Sequence, residues 1–415
     1  MPQGFFASAA KPAPKIVGLV PACGACGLHK TCDSPKMPVT GEGKHGVLIV
    51  AEAPGGDEDE QGIQLIGKAG QRLRQSIAAL GYDLDRDCWK TNALICRPST
   101  KTEDGKRNRT PTKDEIGYCR PNLIQTIKEL KPRMIIPLGG PAVESVIGHL
   151  WKEDVGGISR WVGFQIPCQK PNVWICPTHH PSYLLREEDG VLDMWFERHL
   201  ELAFDLVGRP WTEKQDWVGD VRVVVDDDEA AQILYGISLM EDGALAIDFE
   251  TTTLKPDTPW SEIVCCAVSW GRTKPEITVA YPWRGKAREA TQAVTRSPIP
   301  KIASNLKFED RWVRKEFGHR VRNWCHDTML FAHLMDSRPG ITGLKFQSFA
   351  HLGFPEYSDH ISPYLDGGSA RGKNRVNEVD KSELLRYCGL DALLEFRLAV
   401  RQRQIMGFDI PWSYK

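Results

Sequence analysis

Two α/β domains are the fold class this sequence predicts, and three observations carry the prediction. Short apolar runs alternate with amphipathic helical stretches between residues 47 and 138, the pattern of strands and crossover helices around a mostly parallel sheet. A polar, tryptophan-bearing segment, LVGRPWTEKQDWVGD at 206–220, interrupts that series, and a second series begins after it. The length of 415 residues also exceeds what one core ordinarily holds, at roughly 150 residues per domain.

The elements follow in order. VLIVAEAPG (47–55) reads as a buried strand running into a Gly-rich turn, and KAGQRLRQSIAALG (68–81) as a helix. CWKTNALIC (88–96) reads as a second strand, TKDEIGYCRPNLIQTIKELK (112–131) as a helix and PRMIIPLGG (132–140) as a third strand. VWICPTHHPSYLLR (173–186) adds a strand ending in a polar loop. The linker is set at 208–220, so the domains run 1–207 and 221–415. In the second domain VRVVVDDDEAAQILYGISLM (221–240) is strand then helix, GALAIDFETTTL (243–254) the edge of a second sheet and EIVCCAVSWG (262–271) a further strand. From 300 onward the pattern turns helical, up to ELLRYCGLDALLEFRLAVRQRQI (383–405). No internal repeat argues for a solenoid.

Composition narrows the function classes. With 41% hydrophobic and 26% charged residues the chain is globular, which excludes a disordered or collagen-like polymer. No run approaches the roughly 20 apolar residues a membrane helix needs, so no membrane partner is expected. The first 22 residues carry Lys11 and Lys15 and no long apolar run, so no secretory signal is expected and an intracellular, cytoplasmic setting follows. Lys and Arg (53) balance Asp and Glu (54), which leaves room for a local basic groove beside an acidic metal site. The twelve cysteines, in a chain without a signal, point to metal or cluster ligands before disulfides. Eight of them precede residue 180, so the two halves are expected to do different chemistry.

Glu52 and a Pro-Gly backbone sit at the carboxyl end of a parallel strand, where open α/β sheets bind ligands. Asn92 in CWKTNALICRP, His180 after a strand and the pair Cys23-x2-Cys26 add polar and metal-binding groups. These motifs have an order: C-x2-C-x-L (23–28), E-A-P-G (52–55), Glu58–Asp59, G-K-A-G (67–70), T-N (91–92) and C-R-P (96–98). NRTPTKDEIGYC (108–119), LGGPA (138–142) and HPSYLLR (180–186) complete it. In these, about the first 205 residues resemble the family 4 uracil-DNA glycosylases, which carry a [4Fe–4S] cluster.

The resemblance implies an α/β/α sandwich in which Cys23, Cys26, Cys96 and Cys119 ligate the cluster. A tetrahedral zinc ion would use the same four residues, and spacing alone does not choose between them. Cys32 is an additional thiol close by, while Cys88, Cys168 and Cys176 read as small core residues. By the same resemblance Asn92 hydrogen-bonds the uracil edge and His180 stabilises charge on the departing base. Glu52 with neighbouring amides places the attacking water, and Gly55 and Leu65 belong to the base pocket. The base must leave the stack for this chemistry. Arg186 and KTEDGKRNR (101–109) would meet phosphates, or the latter is a solvated surface loop. Two positions depart from the family pattern. Leu65 stands where an aromatic stacks on the base, a contribution of roughly 1–3 kcal/mol, so Leu65→Phe is expected to raise release. Ala51 replaces the first glycine of G-E-A-P-G.

In the second half the strand period of two puts Asp248 and Glu250 on one face, and helix spacing aligns Tyr387 with Asp391. With SNLKFED (304–310) and HDTMLFAHLMD (326–336), these resemble the 3′–5′ exonuclease domain of family-A DNA polymerases, the tyrosine-bearing branch of the DEDD nucleases. That implies a ribonuclease H-like fold in which Asp248, Glu250, Glu309 and Asp391 hold two Mg²⁺ or Mn²⁺ ions and Tyr387 orients the water. The family has Asp where this chain has Glu309, with Asp310 next, and Glu309 is taken by position. Asp327 is supportive outside the metal shell, and His326 and His333 are structural. Only 24 residues follow Asp391, so a polymerase is expected on a separate subunit. The function expected is DNA repair or replication, joining base excision to 3′ trimming of single-stranded or 3′-ended DNA in a bacterial or viral setting. The alternative is an accessory exonuclease whose first domain only grips DNA.

Overall fold

The computed structural model describes residues 23–103, 105–151, 154–209, 216–355, 357–408 and 412. The first 22 residues, read above for a leader, and 210–215 within the expected linker lie outside the described residues. The chain divides into two compact units, Met1–Thr212 and Glu213–Lys415.

In the first unit β1 (Val47–Ala51) leads through α1 (Gly56–Gln61) to α2 (Lys68–Ala79). After β2 (Cys88–Asn92) comes a hairpin of β3 (Ser99–Thr102) and β4 (Gly105–Asn108), and α3 (Lys113–Leu130) connects it to β5 (Met134–Pro137) and α4 (Gly140–Ile147). The strands β6 (Ile166–Cys168) and β7 (Val173–Ile175), then α5 (Pro181–Glu187) and α6 (Gly190–Phe204), complete the unit. The sheet order is β2-β1-β5-β7-β6, parallel except for β6. Every residue of β1 is buried, as a strand covered on both faces must be. Val47, Ile49 and Ala51 share a core with Leu73 and Ile77 of α2 and with Phe196 and Leu200 of α6. The start of α3 is written locally: Thr112 Oγ accepts the Glu115 N–H, and Glu115 reaches back to the Thr112 N–H.

The second unit runs β8 (Arg222–Val223), α7 (Asp227–Ser238), β9 (Ala244–Thr251), β10 (Ile263–Gly271), β11 (Pro275–Pro282) and α8 (Gly285–Arg296). It continues with β12 (Lys301–Ala303), α9 (Lys307–Phe317), β13 (Trp324–Asp327), α10 (Thr328–Met335), α11 (Leu344–Leu352), α12 (Ser362–Leu365) and α13 (Lys381–Ile405). The sheet order is β13-β12-β9-β10-β11-β8. The three central strands β9, β10 and β11 are antiparallel, and β12 and β13 add in parallel beside β9. Alternation assigns the faces. Leu245, Ile247 and Phe249 pack among residues of α7, α8 and α9, whereas Ala244 and Ala246 pack against Phe396 and Ala399 of α13. Asp248 and Glu250 continue the α13-facing row.

Five local readings need correction. The stretch read as helical from 300 onward contains two strands, β12 and β13, which extend the sheet beyond β9. The strand in CWKTNALIC stops at Asn92, and 93–96 form a bend. The polar loop after VWIC becomes α5, with His180 as its N-cap. The segment 101–109 joins an exposed antiparallel hairpin. Finally β9 lies inside its sheet between β12 and β10, its row of small apolar residues covered on both faces. No helix among the described residues is long and apolar enough to cross a membrane.

Candidate active sites

At the carboxyl ends of β1 and β5 a cleft of about 800 Å³ opens, lined by Glu52–Glu58, Asn108–Thr110, Gly139–Gly140, His179–His180, Tyr183 and Arg186 among others. Glu58 organises one wall: its Oε2 accepts the Gly55 N–H at 2.5 Å and its Oε1 the Leu65 N–H at 2.7 Å. The glycine of G-K-A-G closes the same wall, because a Cβ on Gly70 would lie 1.9 Å from the Leu65 carbonyl oxygen. Across the cleft Gly139, at φ +82°, passes His180 so closely that a Cβ would meet the His180 Cβ at 3.0 Å.

His180 is positioned by the first turn of α5. The Ser182 backbone N–H donates to its Nδ1 at 3.2 Å, and Ser182 Oγ lies 2.8 Å from the same nitrogen. An N–H can only donate, so Nδ1 is the acceptor and Nε2 carries the proton of the neutral ring. Burial, helped by the Arg186 charge, pushes His180 down to about 4 and keeps it neutral. Glu52 moves the other way: burial raises its carboxyl, with Arg186 partly opposing. Asn92 ends β2 opposite Ala51 and is buried rather than among the cleft-lining residues; its Nδ2 has no hydrogen-bond partner. An unpaired buried amide is costly unless something else occupies it. Leu65 borders the cleft yet is only 2% exposed, in the core of Ala51, Leu73 and Ile77.

After the carboxyl end of β2, Cys23, Cys26, Cys32, Cys96 and Cys119 share one small core with Leu28, Leu94, Ile95 and Ile116. Cys23 and Cys26 lie near enough to Cys119, and Cys32 and Cys119 near enough to Cys96, to oppose a thiolate there. The Lys36 backbone N–H donates to Cys96 Sγ at 3.2 Å. Burial pushes Cys96 up to about 12 and Cys119 to about 11, so these sulfurs become thiolates only against a bound metal. Cys23, Cys26, Cys96 and Cys119 are soft donors from three segments around that core, the donor set a sulfur-ligated metal or cluster uses, and Cys32 lies beside them. Cys88, Cys168 and Cys176 are buried elsewhere in the sheet.

In the second unit ligand oxygens of Asp248, Glu250 and Asp391 lie within 4.8 Å of one another. Burial first, and then the Asp391 charge, raises Asp248 to about 8, and Glu250 and Glu309 are raised for the same two kinds of reason. Such a group stays ionised only with a cation to offset it. Tyr387 lies one helical turn before Asp391, 5% exposed, with Lys345 Nζ 5.3 Å from its ring centroid. The two candidates of α9 differ. Glu309 is 2% exposed with Oε2 unpaired, and its strongest charge neighbour is Asp248. Asp310 instead accepts the Val321 N–H at 3.0 Å and pairs with Arg320 at 3.6 Å. Asp327 accepts the N–H groups of Asn305, Leu306, Met329 and Leu330, tying the loop before α9 to the start of α10. His326 bonds Gln402 at 2.9 Å.

Two neighbours escaped the sequence reading. Tyr357 donates its hydroxyl to Asp391 Oδ1, and no motif or spacing links positions 357 and 391. Glu395, 1% exposed, faces Asp248, Glu309 and Asp391. Its signal was the i, i+4 interval from Asp391, hidden because such pairs are common on helices.

The Uracil DNA glycosylase superfamily model matches residues 38–202. A type-4 uracil-DNA glycosylase of Pyrobaculum aerophilum is 37% identical over 192 residues, 46% of this chain and 92% of that protein. A DNA polymerase of Bacillus phage SP01 is 23% identical over 401 residues; the match takes in 88% of this chain and 41% of the polymerase. Among solved structures, Trypanosoma brucei RNase D aligns at 12% identity and TM-score 0.36, covering 46% of this chain and 66% of that one.

Proposed function

Through its first unit this chain belongs to the type-4 branch of the uracil-DNA glycosylase superfamily, and on that premise we propose that it releases uracil, or a modified pyrimidine, from DNA and trims 3′ ends at a second, cation-dependent site. The observation that carries the first activity is a neutral His180 whose protonated Nε2 belongs to a cleft at the strand ends. When the N-glycosidic bond breaks, negative charge collects on the departing base. His180 Nε2–H donates to it without losing its proton, and Arg186 adds positive charge. Asn92 is buried beside cleft-lining Ala51, and its unpaired Nδ2 would read an acceptor on a base edge that reaches past that wall. Glu52 and the Ala53 backbone N–H would hold the attacking water. The base enters this cleft only after leaving the stack.

Cys23, Cys26, Cys96 and Cys119 would hold a [4Fe–4S] cluster. When bound, the cluster supplies four metal–thiolate bonds that tie together the loop at 23–32, the segment at 93–98 and α3. Iron and sulfide content of the purified protein tests this, and one bound zinc instead would overturn it.

The second activity rests on the three carboxylates within 4.8 Å beside Tyr387. Asp248, Glu250, Glu309 and Asp391 would hold two Mg²⁺ or Mn²⁺ ions, which supply an activated water and neutralise charge on the leaving oxygen. Tyr387 orients that water, and Tyr357 fixes the Asp391 carboxylate. In the first unit, exposed Lys101 and Arg107 of the β3–β4 hairpin would meet phosphates of the uracil-bearing strand. A DNA polymerase is the proposed partner.

Incubation with a labelled uracil oligonucleotide, with and without EDTA, tests both activities together. Uracil release should survive EDTA and vanish in Asn92→Ala and His180→Ala, while mononucleotide release should stop with EDTA. No release from single- or double-stranded uracil DNA would leave the first unit as a DNA-gripping module, the reading that buried Leu65 favours.

A further inference from the structure

We infer that Glu395 is a fifth carboxylate of the cation centre, contributing charge to the second-cation lobe formed by Asp248 and Glu309. The inference rests on the nuclease reading of the second unit. Glu395 follows Asp391 by four residues on α13 and therefore shares its helix face. Its two oxygens are unequal. Oε1 accepts the Ser304 backbone N–H at 2.9 Å, joining α13 to the loop that leads into Glu309. Oε2 is buried and has no hydrogen-bond partner, and the side chain as a whole is 1% exposed. The charges it meets are all carboxylates: Asp248, then Glu309, then Asp391.

Glu309 repeats the pattern from the opposite element, with its own Oε2 buried and unpaired and Asp248 as its strongest neighbour. Two buried carboxylate oxygens without donors, each belonging to a group on which Asp248 acts as the strongest charge, are strongly destabilising unless a cation offsets them. Asp248, Glu250 and Asp391 already form one compact group. Asp248 would then serve both that group and a second lobe made by Glu309 and Glu395. Glu395 acts on the second lobe either directly or through a cation-bound water, and through Ser304 it also positions the Glu309 loop.

Glu395→Gln separates these roles, because the amide oxygen keeps the Ser304 N–H while the charge is lost. Mn²⁺ binding, followed by calorimetric titration and by the spin signal of free Mn²⁺, should weaken about 10–100-fold. The melting midpoint of EDTA-treated Glu395→Gln should rise, since one repelling charge is gone. Glu395→Asp keeps the charge but withdraws it by a methylene, so its Mn²⁺ affinity should fall between the two. Wild-type Mn²⁺ affinity in both variants would overturn the assignment and leave Glu395 a structural link to Ser304. Failure of the wild-type chain to bind Mn²⁺ would overturn the nuclease centre itself, and the assignment with it.

Discussion

His180 takes its character from its surroundings: the Ser182 N–H fixes the tautomer, and burial keeps the ring neutral down to about pH 4. Protonating Nδ1 would set two N–H groups against each other, so uracil release should fall as pH drops through about 4. The stability consequence has a definite sign. The folded value lies below the roughly 6.5 of an unfolded chain, so the unfolded state takes the proton first. Stability of the first unit should therefore decline between about pH 6.5 and 4, by ~3 kcal/mol at most from this group. His180→Ala should abolish release and flatten that decline; an unchanged decline in thermal melts would remove His180 as its source. Leu65 carries the opposite lesson. An aromatic there was expected to strengthen base stacking, but Leu65 is 2% exposed and has φ +56°. Overpacking such a site costs about 1–3 kcal/mol. Leu65→Phe should lower the melting midpoint without raising release, and a gain in release at unchanged stability would restore the stacking view.

At the scale of elements, α9 decides between two adjacent carboxylates. Successive helical residues point about 100° apart, so one faces the centre while the other meets Val321 and Arg320. Glu309→Gln should abolish 3′ nucleotide release, whereas Asp310→Asn should cost about 1 kcal/mol of stability and leave most of the activity. If only Asp310→Asn kills activity, the assignment along α9 is wrong. The β3–β4 hairpin has almost no buried residues, and Lys101 and Arg107 are exposed. Lys101→Ala with Arg107→Ala should raise KM for uracil DNA while sparing kcat. It should also flatten the salt dependence of binding by about 0.7–0.9 per lost phosphate contact. Legibility differed by element for physical reasons. β1, β5 and α3 were readable because apolar runs and a capping box are local codes. β12 was hidden: it has three residues, and one is buried Lys301, whose ammonium donates to Ser297 and Ile299 carbonyls. Asp248 and Glu250 could be read from the strand period alone. Tyr357 could not, since its relation to the site arises only when the 357 segment folds back, and Glu395 offered only the common i, i+4 interval from Asp391.

Across the whole molecule, two units with separate cores carry two chemistries with different needs for metal. The first unit's thiols sit in a small apolar core built on the segment after β2, and its cleft uses neutral or hydrogen-bonded groups. The second unit gathers Asp248, Glu250 and Asp391, whose mutual repulsion is part of what raises Asp248 to about 8. Cation binding to the folded state alone stabilises it in proportion to ln(1 + [L]/Kd), about 2.7 kcal/mol at a hundredfold excess over Kd. Multi-domain chains need not unfold in one step, so Mn²⁺ should raise only the melting transition of the second unit and EDTA should reverse it. Asp248→Asn should do two things at once. It removes a repelling charge, so the metal-free second unit should melt higher than wild type, and it removes a shared ligand, so the Mn²⁺-induced rise should shrink or vanish. Iron content and uracil release should be unchanged in that variant, because the thiols and the cleft belong to the other unit. A metal-free Asp248→Asn protein that melts lower than wild type would mean that Asp248 is held by structural hydrogen bonds rather than poised for a cation. The two-metal reading of the second unit would then fail, while the glycosylase reading of the first would stand.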